Sequence, residues 1–205
     1  MQGTRKRVDY DTIVRMIPRN ATVLDLGCGS GRLLERLKDE KNTRGQGVEI
    51  DHENVKSCIR KGLDVYQGDL NEGLKGFQAG SMDHVILNHT LQYLHEPKSI
   101  LEQMLSIGKY AIVGVQNLSW WGNRLSFLIS GNLELDPFMS NPLQENTPQL
   151  ITITQFMAFC KKNGINILQK HFLTRWGELS PVAFPNLLAE TAIFMLEGNR
   201  GTRLA

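Results

Sequence analysis

The sequence predicts a doubly wound, three-layer α/β domain with a mostly parallel seven-stranded sheet and helices on both faces. Three observations lead there. Over the first two thirds of the chain, short β-branched runs alternate with segments whose apolar residues recur at helical spacing. The 19 glycines among 205 residues exceed the usual ~7% and gather at the ends of apolar runs, where strands and helices exchange. A glycine-rich turn follows the first strand, and in such sheets ligands bind outside the carboxyl ends of strands where strand order reverses.

Each element has its own warrant. Residues 21–26 (ATVLDL) read as a buried strand, followed after the glycines by a helix over 32–38 with Leu33, Leu34 and Leu37 on one face. Residues 45–50 (GQGVEI) form the second strand. A helix over 54–61 turns Val55, Cys58 and Ile59 inward and stops at Gly62, ahead of a third strand at 63–67. Residues 82–88 (MDHVILN) make the fourth. Pro97 opens a helix over 97–106 striped by Ile100, Leu101, Met104 and Leu105, and 110–115 (YAIVGV) is the fifth strand. The rhythm then breaks: about 116–150 reads as an insertion or lid on a single domain spanning 1–205. It holds Trp120, Trp121, Phe127, Phe138, Pro137, Pro142 and Pro148, with one short helix around Trp121, Leu125 and Leu128. Thr152 and Gln155 fit a capping box for a helix through Phe156, Phe159 and Cys160 that stops at Gly164. Residues 165–173 and 190–196 close the chain as two strands that include an antiparallel pair.

Composition excludes several functions. With 23 Lys plus Arg against 21 Asp plus Glu, the net charge of +2 supplies no broad field for nucleic acid or an anionic membrane. The basic cluster at residues 4–7 reads as a solvated arm. No stretch approaches the ~20 apolar residues of a membrane span, and no apolar run follows the charged N-terminus as in a signal peptide; the expectation is a cytoplasmic protein. Three cysteines, Cys28, Cys58 and Cys160, lack metal-ligand or CxxC spacing, so no metal site is expected and a reducing compartment fits best.

The most informative segment is VLDLGCGSG, residues 23–31. Gly27, Gly29 and Gly31 sit where the first strand turns into the first helix, and glycines there let backbone N–H groups approach a ligand closely. A tight turn without a ligand is the plain alternative. Asp25 puts a carboxylate at the end of an apolar strand, which is costly unless it bonds amides or a cationic group. Glu49 follows Gly31 by eighteen positions, at the end of the second strand, where a carboxylate can accept both hydroxyls of a ribose. Asp69, in QGDL after the third strand, is placed to accept an adenine amine, with Leu70 against the base. Each acid alone is an ordinary cap or loop residue; with the glycine loop they outline a nucleoside site. The loop is GxGxG rather than GxGxxG, which disfavours NAD, and Glu49 would repel the 2′-phosphate of NADP.

VLDLGCGSG, GVEID, QGDL and MDHVILNHTL, in this order and spacing over residues 20–116, resemble the motifs of class I S-adenosylmethionine-dependent methyltransferases, with their Rossmann-like fold. The resemblance implies S-adenosylmethionine or S-adenosylhomocysteine as cofactor. It gives the ribose to Glu49, the adenine amine to Asp69, and the methionine end to Asp25 and the glycine backbone, with the Asn88 carbonyl accepting from the cofactor's amino group. His52, beside Asp51, reads as a helix-start residue.

A narrower resemblance lies in RVDYDTIVRMI, GVEIDHENVKSCIRKGLDVYQGDLNEGL, NHTLQYLHEP and GKYAIVGVQN, with weaker echoes in NTPQLITITQFMAFCKKNGI. These strings are similar to those of the MetW family of methionine-biosynthesis proteins. That implies a methyltransferase-like domain working beside a homoserine O-acyltransferase, with no methyl acceptor attached. The chain departs from the family pattern at Ser30, where an acidic residue is usual, and at His89 and Tyr93, where a polar or small pair is. The family's tryptophan- and tyrosine-containing stretch is not evident between Asn132 and Asn146.

Methyl transfer is an in-line displacement from a sulfonium, so positioning and desolvation can supply much of the rate and no covalent nucleophile is needed. An acceptor of high pKa needs a base, and His89, Tyr93 and His95 after the fourth strand are the candidates. Their plain reading is that His89 lines the cofactor edge and His95 precedes a helix. No NPPY-like string follows the fourth strand, which argues against nucleic-acid adenine or glutamine methylation. Trp120, Trp121, Phe127 and Phe138 either fill the core under the insertion or cap a pocket or dock a partner. Two functions are expected: an S-adenosylmethionine-binding protein that assists or regulates homoserine acylation by contact, or an active methyltransferase on a small-molecule acceptor.

Overall fold

The computed structural model describes residues 7–131, 151–180 and 183–197. Its organising feature is one eight-stranded sheet in the order β3-β2-β1-β4-β5-β8-β6-β7. The strands are β1 (Thr22–Leu26), β2 (Arg44–Glu49), β3 (Asp64–Gln67), β4 (Met82–Asn88), β5 (Gly108–Gln116), β6 (Asn166–Thr174), β7 (Gly177–Leu179) and β8 (Thr191–Glu197). β1 to β5 run parallel. β8 slots between β5 and β6 and pairs antiparallel with both. Strand order reverses at β1, flanked by β2 and β4, which places a switch point at the end of the glycine-rich strand.

The expected strands and helices are present with ends shifted by a few residues; in the helix after the second strand Val55 and Cys58 are buried as expected, but Ile59, expected inward, is exposed to solvent. The helices are α1 (Val8–Met16), α2 (Arg32–Lys41), α3 (His52–Arg60), α4 (Pro97–Ile107), α5 (Trp121–Ser130), α6 (Ile153–Lys162) and α7 (Pro185–Leu188). Asp51 caps α3 by accepting the Asn54 N–H at 2.8 Å, and His52 is the first helical residue. The capping box at α6 is formed by Thr152 and Gln155.

Because side chains alternate along a strand, the sheet has two distinct apolar faces. Val23, Ile86, Ile112 and Ile193 face α1 and α2, meeting Ile13, Ile17, Leu33 and Leu37. Leu24, Leu26, Val85, Leu87 and Val113 face α4 and α6, meeting Leu101, Met104, Phe156 and Cys160. Helices therefore cover both sides, as the apolar β1, β4 and β5 require.

Two differences from expectation stand out. Among the described residues the sheet has eight strands rather than seven, because β7 returns from β6 through the two residues Arg175 and Trp176, with Thr174 opposite Gly177. That turn has no Asn-Gly or Gly-X signal and its strand is three residues long, too short for an alternation to register. Helix α1 is the second. Asp9 and Asp11 in its first turn and Arg15 in its last complement the helix dipole, and Ile13, Val14 and Ile17 are buried at helical spacing. Of the expected insertion at 116–150, residues 120–131 carry α5 where a short helix is predicted, while Phe138, Pro137, Pro142, Pro148 and the stretch 132–146 lie outside the described residues.

Candidate functional site

At the carboxyl ends of β1 to β4 lies a cleft of about 370 Å³. Of the residues singled out from sequence, Gly27, Glu49, Asp69, Leu70, His89, Tyr93 and His95 line it. Asp25, Gly29, Gly31 and Asn88 are not among its lining residues and sit beneath or beside it. The walls also include Ile50, Asn71, Thr90 and Leu94.

The glycine turn is shaped by its neighbours. Gly27 and Cys28 both donate to the Val48 carbonyl, at 2.8 and 3.1 Å, which ties the turn to the end of β2. Gly27, Gly29 and Gly31 all have positive φ, at 69°, 55° and 75°. At Gly27 a Cβ would also stand 2.6 Å from Thr90 Oγ1, so only glycine fits the approach of β1 to the β4 end. At Gly29 a Cβ would meet nothing within 4 Å: the backbone there borders open space.

Glu49 is nearly buried, at 8% exposure, and its carboxylate is already engaged. Oε2 accepts the Gly29 N–H at 2.7 Å, while Oε1 accepts those of Ile50 and Asp51 at 3.0 and 2.9 Å. A carboxylate offers about four acceptor positions, so these bonds leave room for roughly one more donor. Asp69 caps the short turn Leu70–Glu72, its Oδ1 accepting the Asn71 N–H at 2.8 Å and Asn71 Nδ2 at 3.0 Å.

Asp25 shares the sheet face of Val23, under α1 and α2, and is 3% exposed. Burial, with the charge of Glu49 adding to it, pushes its carboxyl up to about 7.

The end of β4 holds a polar network that sequence reasoning missed. Asp9, on α1 and 8% exposed, accepts from Arg7 through Nε at 3.0 Å and through a terminal nitrogen at 2.7 Å. Its Oδ2 also accepts from Asn88 Nδ2 at 2.8 Å and lies 3.4 Å from His89 Nε2. Burial by itself would raise the Asp9 carboxyl, but the hydrogen bonds and charges of His89 and Arg7 outweigh it and hold the group well below the usual carboxylate range. The signal for Asp9 in the sequence is the amphipathic pattern of residues 7–17, which reads as a helix only once its acidic start is weighed.

His89 itself adopts φ 58°, a conformation a non-glycine residue holds only when its surroundings over-determine it. Its N–H donates to the Gly114 carbonyl at 3.2 Å. The Asn88 carbonyl, expected to face a ligand amine, accepts the Thr90 hydroxyl at 3.2 Å. Among the described residues Asn88 Oδ1 is buried without a hydrogen-bond partner, pressed against Gly114, where an added Cβ would clash with it. Tyr93, in the turn Leu91–Tyr93, is 38% exposed at the rim.

Comparison with known proteins gives one family and one fold. The family model described as methionine biosynthesis protein MetW matches residues 7–196. A curated relative, the bifunctional methionine biosynthesis protein MetXA/MetW of Rhodopirellula baltica, is 32% identical over 198 residues, covering 91% of this chain and 32% of the relative. The chain thus spans about a third of the length of the curated relative it matches. Among solved structures, a SAM-dependent methyltransferase from Archaeoglobus fulgidus superposes with a TM-score of 0.68 at 20% identity, covering 96% of both chains. A structure titled as the complex between the Haloferax volcanii Trm112 methyltransferase activator and the putative methyltransferase gives 0.68 at 18% identity, covering 94% of this chain and 89% of that one. At these identities the structures share the fold, the class I methyltransferase architecture expected from the motifs.

Proposed function

The chain belongs to the MetW family of methionine biosynthesis proteins, and from that premise we propose that it binds S-adenosylmethionine and assists or regulates a homoserine O-acyltransferase. The observation that carries the cofactor reading is the convergence on one cleft of Gly27 at the end of β1, Glu49 at the end of β2 and Asp69 after β3, with the Gly29 N–H bound to the Glu49 carboxylate beside it. The residues fit the group. Ile50, 60% exposed, and Leu70 supply apolar contacts for a base, and Asp69 supplies an acceptor for its amine. Ribose hydroxyls would meet a Glu49 carboxylate with one acceptor position to spare, so they compete with the Gly29 N–H for Oε2 and couple binding to the glycine turn. Asp25, Gly31 and Asn88 act from beneath, holding the turn and the β4 end rather than lining the cleft.

The acyltransferase part rests on the curated relative, whose name joins MetXA and MetW in one chain. S-adenosylmethionine lies downstream of homoserine acylation, so its binding would report methionine status to the enzyme that feeds the pathway. The test is calorimetric titration with S-adenosylmethionine, S-adenosylhomocysteine and NAD, paired with an acyltransferase assay with and without this chain. The first two ligands are expected to bind, NAD is not, and Glu49→Ala and Asp69→Ala should each weaken binding by about tenfold or more. Preference for NAD, or unchanged affinity in Glu49→Ala, would overturn the cofactor placement.

A second reading, methyl transfer to an acceptor carrying an ionisable proton, is favoured by the Asp9–His89 pair at the mouth of the cleft. When bound, S-adenosylmethionine supplies a methyl on a sulfonium. His89, held against Asp9, would take the acceptor's proton, with Tyr93 at the rim beside it. S-adenosylhomocysteine release that depends on an added acceptor and falls in His89→Ala checks it.

A further inference from the structure

Helix α5 keeps its large apolar side chains in solvent. None of its residues is buried; Leu128 is 82% and Ile129 77% exposed, with Trp121, Leu125 and Phe127 near half. Single apolar residues on a surface are ordinary, but five on one short helix are not. Close by in the fold, Trp176 of the β6–β7 turn is 75% exposed and Phe184 ahead of α7 is 68% exposed.

These pieces are held together from beneath. Asn117, 1% exposed, donates to the carbonyls of Asn186 and Ala189 at 2.9 and 2.8 Å and accepts the Ser119 N–H at 3.1 Å. Asn123, within α5, donates back to the Asn117 and Leu118 carbonyls at 3.3 and 3.2 Å. Arg175 sets its guanidinium 5.3 Å from the Trp120 ring and 5.2 Å from the Trp176 ring, and pairs with Glu190 at 3.0 Å. The start of α5, the β6–β7 turn and α7 therefore form one preorganised platform beyond the carboxyl end of β5. Tryptophan and arginine on a preorganised apolar face are the residues that dominate binding energy at interface centres.

We propose that this platform is the docking face for a MetXA-type homoserine O-acyltransferase, an inference that rests on the reading of the preceding subsection. The relative from R. baltica carries both kinds of domain in one chain. Between such domains relative motion is the default unless the shared interface is large and hydrophobic, and the platform offers an apolar face of that kind. The net charge of +2 gives no broad field to hold such a partner by electrostatics, so apolar burial is left as the main source of affinity. The platform also lies at the same end of the parallel strands as the cleft, which puts a docked partner on the cofactor side of the sheet.

The experiment titrates the full chain against the acyltransferase of the same organism by calorimetry, using Leu128→Glu, Ile129→Glu and, as a control at the opposite edge of the sheet, Ile59→Glu (61% exposed). All three positions are solvent-exposed, so thermal unfolding should stay close to the parent. The expected result is a complex weakened about 30-fold or more by either α5 variant and unchanged by the control, with amides of residues 121–130 protected from hydrogen exchange in the complex. Parent-like affinity in both α5 variants overturns the face while leaving the partner reading intact. No binding by the parent chain removes that reading and this proposal with it. A parent dimer that the α5 variants convert to monomer, with acyltransferase affinity unchanged, assigns the face to a second copy of this chain and overturns the proposal.

Discussion

Asp9 Oδ2 accepts a 2.8 Å hydrogen bond from Asn88 Nδ2, joining the first turn of α1 to the end of β4 across 79 positions of sequence. Through this bond the N-terminal helix, rather than the sheet alone, sets the geometry of the rim that carries His89 and Thr90.

Asp9→Asn should therefore destabilise the fold, by about 3 kcal/mol, since it removes a buried charge partnered by Arg7 and His89. Because the folded carboxyl is held below its unfolded value of about 3.9, its stabilisation is fully present above about pH 4 and is lost as pH falls towards the folded value. Urea unfolding of both proteins at neutral and acidic pH checks this: the gap between them should narrow below about pH 4.

Gly114→Ala places a Cβ in clash with Asn88 Oδ1, so the Asn88 amide must move and its bond to Asp9 must loosen. A loss of about 1 to 3 kcal/mol is expected. In Asn88→Ala/Gly114→Ala the clash is gone, and thermal unfolding of the two single variants and the double variant should show the costs to be less than additive.

Asp25 works in the opposite direction to Asp9. Its folded carboxyl stands at about 7, above the unfolded value, so the native state holds the proton more tightly and stability falls as pH rises from about 4 to 7. Asp25→Asn should flatten that slope and gain on the parent towards higher pH, read from melting temperature against pH. Glu49→Gln should lessen the slope in the parent background, because the Glu49 charge is the second cause of the shift.

All three cysteine thiols are buried. Burial raises each, Cys160 to about 11 and Cys28 further, with the Asp25 charge adding at Cys28. An aromatic disulfide reagent at about pH 8 should thus label the native chain slowly and label all three thiols at once in denaturant. Fast labelling of the native chain would contradict the burial.

Local pattern along the sequence determined much of this protein. The alternation of apolar runs specified β1 to β5, the glycine turn marked the switch point, and Glu49 and Asp69 fell on the cleft because a residue at a strand's carboxyl end has little choice of where to lie. The capping box at Thr152 was legible for the same reason: a few neighbouring residues decide it. Tertiary structure decided the rest. That Glu49 spends its acceptors on Gly29, Ile50 and Asp51, that Asp9 reaches Asn88 and His89, that Asp25 sits too deep to line the cleft, and that α5 leaves Leu128 and Ile129 in water all depend on which distant surfaces meet. Side-chain periodicity reports that a face is apolar, but burial, shared protons and shifted charge arise only where packing removes water from particular pairs of groups.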